Sequence, residues 1–173
     1  MRILVVHNRY QQAGGEDVVF AAEVDLLRRY GHTVTELVFD NREIPERPAP
    51  IDAARLALGT VWSRKGAARV RAAIREHRPE VVHFHNTFPL VSPAAYYAAR
   101  AERVAVVQTL HNYRLICPGS LLYRDDHICH DCVGRVVPWP GVVHGCYRES
   151  RAQTAPVAAM LAVHRLAGTW RNL

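Results

Sequence analysis

Apolar residues arrive in short unbroken runs separated by stretches of helical period. Ile3–Val6 is continuously apolar, the pattern of a strand buried on both faces of a parallel sheet. His7–Gly15 is polar and closes on Gly14-Gly15. Glu16 opens a helix with Val19, Ala22, Leu26 and Tyr30 on one side, acids in the first turn, Arg28 and Arg29 in the last, and Gly31 as its left-handed stop. Thr33–Phe39, rich in β-branched residues, reads as a second strand. The prolines from Pro45 to Pro50 mark a linker, and helices are expected over Asp52–Val61 and Arg64–His77. A third strand follows over Glu80–Phe84, a helix from Pro93 through Arg100, a fourth strand over Val104–Thr109, and a last helix over Arg151–Ala167. Strands alternating with helices in this way specify an α/β fold, a doubly wound parallel sheet with right-handed crossovers.

Length and composition narrow this only a little. The 173 residues suit one domain spanning 1–173, and 49% hydrophobic with 22% charged residues is ordinary for a globular protein. No apolar run approaches the ~18 residues that would cross a bilayer. Ile3–Val6 leads straight into His7, Asn8 and Arg9 without a cleavage site, so no export signal is expected; the expected compartment is the cytoplasm, with reduced cysteines. The positive side of the net charge of +6 is nearly all arginine, Lys65 being the only lysine. That balance suits phosphate groups, anionic lipid or nucleic acid without choosing among them.

The segment Leu110–Tyr147 carries more than a connection needs, since structureless loops beyond ~12–15 residues in compact domains are usually functional or disordered. All four cysteines, Cys117, Cys129, Cys132 and Cys146, fall within it, spaced C-x11-C-x2-C-x13-C. The C-x2-C pair is a chelating hairpin, and thiolates suit Zn²⁺. Two further cysteines complete a tetrahedron, with His130 or His144 as substitutes; the bland alternative is four buried thiols acting as small hydrophobes. With so little regular structure to organise this loop, a closed structural zinc site of four cysteines is the preferred reading.

In a doubly wound sheet, ligands sit outside the carboxyl ends of the strands, at helix N-termini. Gly14 and Gly15 let a ligand approach backbone N–H groups there, or serve only a turn with φ > 0. His111 directly follows the fourth strand, placed to hydrogen-bond a sugar hydroxyl or pass a proton, with Asn112 and Arg114 beside it as a neutral donor–acceptor and a positive fork. His83 lies within its strand and reads as structural, whereas His85 and Asn86 are expected exposed at its end. On the helix Arg64–His77, Arg64, Arg71, Arg75 and the following Arg78 fall in one arc at ~100° per residue. That stripe is either a surface for anionic lipid headgroups or simply a solvated face.

Three stretches, H-N-R-Y-Q-Q-A-G-G-E-D-V-V-F, V-V-H-F-H-N-T-F-P-L-V-S-P and L-H-N-Y-R-L-I-C-P-G, together resemble the N-terminal domain of family-4 retaining glycosyltransferases, the GT-B enzymes of bacterial polysaccharide and glycolipid assembly. The resemblance implies one of two Rossmann-like domains that face each other across a cleft, this one receiving a sugar or lipid-linked glycan acceptor and its partner holding the nucleotide-sugar. It implies that Gly14 and Gly15 lie near the donor phosphates and the acceptor, with Glu16 the acid that follows. It likewise implies that His111 contacts the donor sugar as the catalytic candidate, and that Asn86 belongs to a loop on the acceptor side. The Arg/Lys pair and the paired glutamates with which the family grips the diphosphate have no counterpart in these residues, so transfer is expected to need a donor-binding domain or partner chain. The expected surroundings are a membrane's inner face, not nucleic acid. The competing expectation is a non-catalytic, zinc-stapled module that recruits a lipid-linked acceptor or a partner protein.

Overall fold

A computed structural model describes residues 1–12 and 14–171; Ala13, within the predicted polar turn, and Asn172 and Leu173 at the chain end lie outside the described residues. The chain forms two compact units, Met1–His111 and Asn112–Leu173.

The first unit is built on four parallel strands in the order β2-β1-β3-β4: β1 (Arg2–Arg9), β2 (Thr33–Asp40), β3 (Val81–Phe84) and β4 (Ala105–Gln108). Helix α1 (Gly15–Arg29) links β1 to β2, α2 (Pro50–Val61) and α3 (Arg64–His77) link β2 to β3, and α4 (Ala94–Ala101) links β3 to β4. Because β1 lies between β2 and β3, successive crossovers leave it in opposite directions. The crevice at the carboxyl ends of β1 and β3 is thus a topological switch point. Leu4, Val5 and Val6 have no exposed surface, as the unbroken apolar run requires.

Strand β1 runs past the predicted turn, because His7, Asn8 and Arg9 keep register with Val38, Phe39 and Asp40. His7 and Asn8 are therefore core residues rather than loop residues. Helix α1 also buries a different stripe from the one periodicity suggested. Phe20 and Val24 pack on Ile3 and Val5, with Leu27, Val34 and Val38 around them. Leu26 and Tyr30 are left 52% and 76% exposed, and Val19 faces solvent as well. The helix carries two apolar arcs, and the one containing the aromatic ring buries more area against the sheet.

Helix α3 forms over the predicted residues. Its cap, Ser63, accepts a hydrogen bond from the Gly66 N–H at 2.9 Å, and Gly66, Val70 and Ile74 are its buried face. Gly66 is there because a Cβ would lie 2.6 Å from the Val91 carbonyl oxygen and 2.8 Å from that of Leu90.

The second unit holds the cysteine segment and α6 (Arg151–Leu166), with a two-stranded antiparallel ribbon of β5 (Tyr123–Arg124) and β6 (His127–Ile128) and one short helix, α5 (Trp139–Val143). The ribbon and α5 went unrecognised in the sequence: two-residue strands and a five-residue helix are too short to show a period. Among the described residues, no helix is long and apolar enough to cross a membrane.

Candidate functional site

Polar side chains gather where β1, β3 and β4 end. At the end of β1, the His7 Nε2–H donates to Asp17 Oδ1 at 3.0 Å, and Asp17 Oδ2 accepts the Gly14 N–H at 2.9 Å. The carboxylate thus fastens the first turn of α1 to the last buried histidine of β1. The His7 ring stacks on Phe20, with centroids 4.6 Å apart. Burial lowers the His7 pKa despite the Asp17 hydrogen bond and charge, and the Gly14 N–H and the His7 ring hold Asp17 below the usual carboxylate range against the pull of its own desolvation. Glu16 sits in the same turn, close enough to act electrostatically on His7.

Neither glycine serves the turn reading. Gly14 has φ −131° and ψ −178°, extended backbone open to any residue, and a Cβ on Gly14 or Gly15 would meet nothing within 4 Å. Their lack of side chains leaves open space at the mouth of α1, where the N–H groups and helix dipole favour an anion.

At the ends of β3 and β4, five groups converge. Glu23, from the middle of α1, brings Oε2 to 3.1 Å from His85 Nε2 and 3.7 Å from His83 Nε2. The Thr109 hydroxyl lies 2.8 Å from His83 Nε2, and His85 Nδ1 is 3.2 Å from His111 Nε2. Against expectation His85 is 2% exposed and Asn86 is buried too, while His83 keeps some exposure. His85 shares a face with His83, two residues before it, and is covered by Phe20 and His7, whose rings lie 5.4 and 6.1 Å from it. Burial first, then the neighbouring imidazoles of His83, His111 and His7, push the His85 pKa down to about 3, and burial lowers His83 as well. His111 is only partly buried and forms the accessible end of this row of rings.

Asn86 is committed to loop structure: its Nδ2 donates to the Asn8 carbonyl at 2.8 Å and its Oδ1 accepts the Phe88 N–H at 3.0 Å. Asn8 in turn donates to Asn41 Oδ1 at 2.8 Å, so a buried amide network welds the rim where β1, β2 and β3 end. Gly14, Gly15, Glu16, His85, Asn86 and His111 therefore share one rim of the first unit. His7, Asp17 and Glu23 join them and were not foreseen. The available signals were an acid three residues after Gly14 and another acid on the Phe20–Val24 stripe.

Asn112 and Arg114 belong to the second unit. Asn112 Oδ1 accepts the Arg114 N–H at 2.9 Å, while the Arg114 guanidinium donates to the Pro118 carbonyl and lies 5.0 Å above the Tyr147 ring. Arg114 thus organises the cysteine segment. The four cysteines are free thiols grouped closely enough that Cys117, Cys129 and Cys146 each raise the Cys132 pKa, after burial as the main cause. Their sulfurs are spread wider than a closed tetrahedron: among the described residues, only Glu23, His83 and His85 bring three ligand atoms within 4.8 Å of one another. Of the basic stripe, Arg71 and Arg75 both approach Glu102, at 3.5 and 2.8 Å, and Arg78 is the left-handed cap of α3 with φ 46°. Arg64 borders a groove of about 910 Å³ whose walls include Phe39, Leu56, Trp62, Arg55 and Arg69.

The parallel sheet, the glycine-mouthed first helix and the histidine after β4 are the features the sequence resemblance led one to expect. None of the curated proteins matches the chain. The profile of Glycosyltransferase Family 4 matches residues 13–138, from α1 through β4 and most of the cysteine segment. The chain belongs to Glycosyltransferase Family 4.

Proposed function

We propose that the first unit is the acceptor-side wall of a nucleotide-sugar-dependent retaining glycosyltransferase of polysaccharide or glycolipid assembly. The carrying observation is that His111 and the open glycine mouth of α1 lie on the same rim, joined through His85, His7 and Asp17. In this reading His111 orients the donor sugar with its exposed ring edge. The α1 mouth receives negative charge from the donor phosphates, and His7–Asp17 keeps that mouth in place. Neutral His85 behind His111 leaves it free of a fixed positive neighbour. The groove beside Arg64 supports an amphiphilic, lipid-linked acceptor, since Leu56, Leu58 and Trp62 offer apolar surface while Arg55, Arg64, Lys65 and Arg69 offer charge. Its basic rim also favours docking on anionic lipid, more than Arg71 and Arg75 do while they are engaged with Glu102.

Zinc on Cys117, Cys129, Cys132 and Cys146 would serve the second unit as a structural staple, and the donor set fits it chemically once the sulfurs draw together. That staple also supports the second reading, a binding module without catalysis.

Transfer from a labelled nucleotide-sugar separates the two. With a donor-binding domain supplied, transfer is expected, and His111→Ala should lower kcat by about 10²-fold or more, the scale of losing one preorganised hydrogen-bond donor. The isolated chain should show none. Robust turnover by the isolated chain, or an unaffected His111→Ala variant, would overturn the reading.

A further inference from the structure

We propose that Glu23, His83 and His85 form a binding site for one divalent cation of borderline character, Zn²⁺ or a metal of similar preference, on the carboxyl rim of the sheet. Two imidazoles and one carboxylate are a metal-ligand set that leaves a position open. The spacing fits. Bonds of about 2.0–2.1 Å in a tetrahedron place neighbouring ligand atoms about 3.3 Å apart. Here Glu23 Oε2 stands 3.1 Å from His85 Nε2 and 3.7 Å from His83 Nε2, and all three ligand atoms lie within 4.8 Å of one another.

A second observation points independently to a ligand. His85 Nε2 is buried and makes no hydrogen bond, although Glu23 is 3.1 Å away. A buried polar atom left without a partner costs about 1–3 kcal/mol, and a cation at this point would supply the partner. The surroundings are already arranged for it. His85 Nδ1 is held by His111 Nε2 at 3.2 Å, which turns Nε2 toward Glu23 as the outer partner of a metal-bound histidine does. A neutral imidazole presents the lone pair a metal needs. On one side the site opens to solvent, for the Glu23 side chain is 34% exposed. The free coordination position would take water or an oxygen of a bound molecule. Mg²⁺, which prefers all-oxygen octahedra, is a poor occupant.

This site is distinct from the four cysteines and does not depend on glycosyl transfer. The test is a titration of metal-free protein with Co²⁺. Cobalt at the histidine–carboxylate site gives visible ligand-field absorption without the near-ultraviolet sulfur-to-metal band that thiolate ligation adds, so the two sites are counted separately. Glu23→Gln and His83→Gln, each verified as folded by circular dichroism, should weaken the sulfur-free binding by at least about 100-fold and leave any sulfur band unchanged. Zn²⁺ should displace the cobalt and millimolar Mg²⁺ should not. Wild-type binding in the Glu23→Gln variant, or the absence of any sulfur-free cobalt spectrum, would overturn the proposal.

Discussion

With zinc on the cysteine segment as proposed, stripping it is expected to unfold the second unit while the first remains native. The segment has little else to hold it. Its ribbon is two residues long on each side, Leu121 and Ile128 are 67% and 71% exposed, and Val133, Val136, Val137 and Trp139 face solvent. Among the described residues, the buried apolar side chains of this unit are Cys132, Pro118, Pro138 and Pro140 with Val157, Ala158, Met160 and Leu161 of α6. A core that small needs a staple. A structural zinc in a small peptide is worth about 10–16 kcal/mol at neutral pH, far more than any single packing contact here. Tight chelation, or Cys132→Ser, should therefore collapse the amide dispersion of residues 112–171 and leave the signals of β1 and β3 in place. Elemental analysis should find zinc on the cysteines of the untreated protein and none there in the Cys132→Ser variant. Metal-free protein with a fully dispersed second unit would remove the staple from the account.

Acidification is expected to act on the other unit. His85, His7 and His83 all have pKa values below the ordinary histidine value in the folded chain, burial being the leading cause at each, and His85 is pushed down to about 3. A histidine with a depressed folded pKa binds fewer protons than its unfolded counterpart once the pH drops below the unfolded value near 6.5. Stability is then complete above that value and lost as the pH falls toward the folded pKa. Between pH 7 and pH 5, His85 alone should withdraw on the order of 2 kcal/mol, with His7 and His83 adding in the same direction. The carboxylates held low, Asp17, Asp40, Glu80 and Glu102, act at lower pH and stay out of this window. Urea midpoints of metal-free protein, followed through unit-one amide signals at pH 7, 6 and 5, should fall steadily. A flat midpoint across that range would mean the imidazole row is not buried as described.

The fold was largely legible because its strongest signals are long or uninterrupted. The Ile3–Val6 run, the α3 stripe through Val70 and Ile74, and the parallel sheet all follow from periodicity and connection rules. The rim was legible as a location. Its internal organisation was not, because that depends on which of two near-equal choices packing selects. On α1, two apolar arcs compete, and Phe20 decides for the arc that also carries Glu23 inward. At the end of β3, His83 and His85 lie two apart on one face, so depth and not pleat separates them, and no local pattern records that Phe20 and His7 cover the second ring. The His7–Asp17 link depends on β1 continuing past its apolar run, a matter of pairing with β2 that no local pattern records. Arg114 was read for its charge, whereas its place in the cysteine segment is set by the Pro118 carbonyl and the Tyr147 ring.

The most direct measurement maps ligand contacts on backbone amide signals of this chain, comparing a lipid-linked or short glycan acceptor with a nucleotide-sugar. An acceptor wall predicts that the glycan alone shifts the amides of Gly14–Asp17 and His85–Asn86, while the nucleotide-sugar, whose sugar and phosphates meet His111 and the α1 mouth, shifts Gly14–Asp17 and Thr109–His111 only weakly until a donor-binding domain is supplied. No glycan response at those amides, or tight nucleotide-sugar binding by this chain alone, would contradict it.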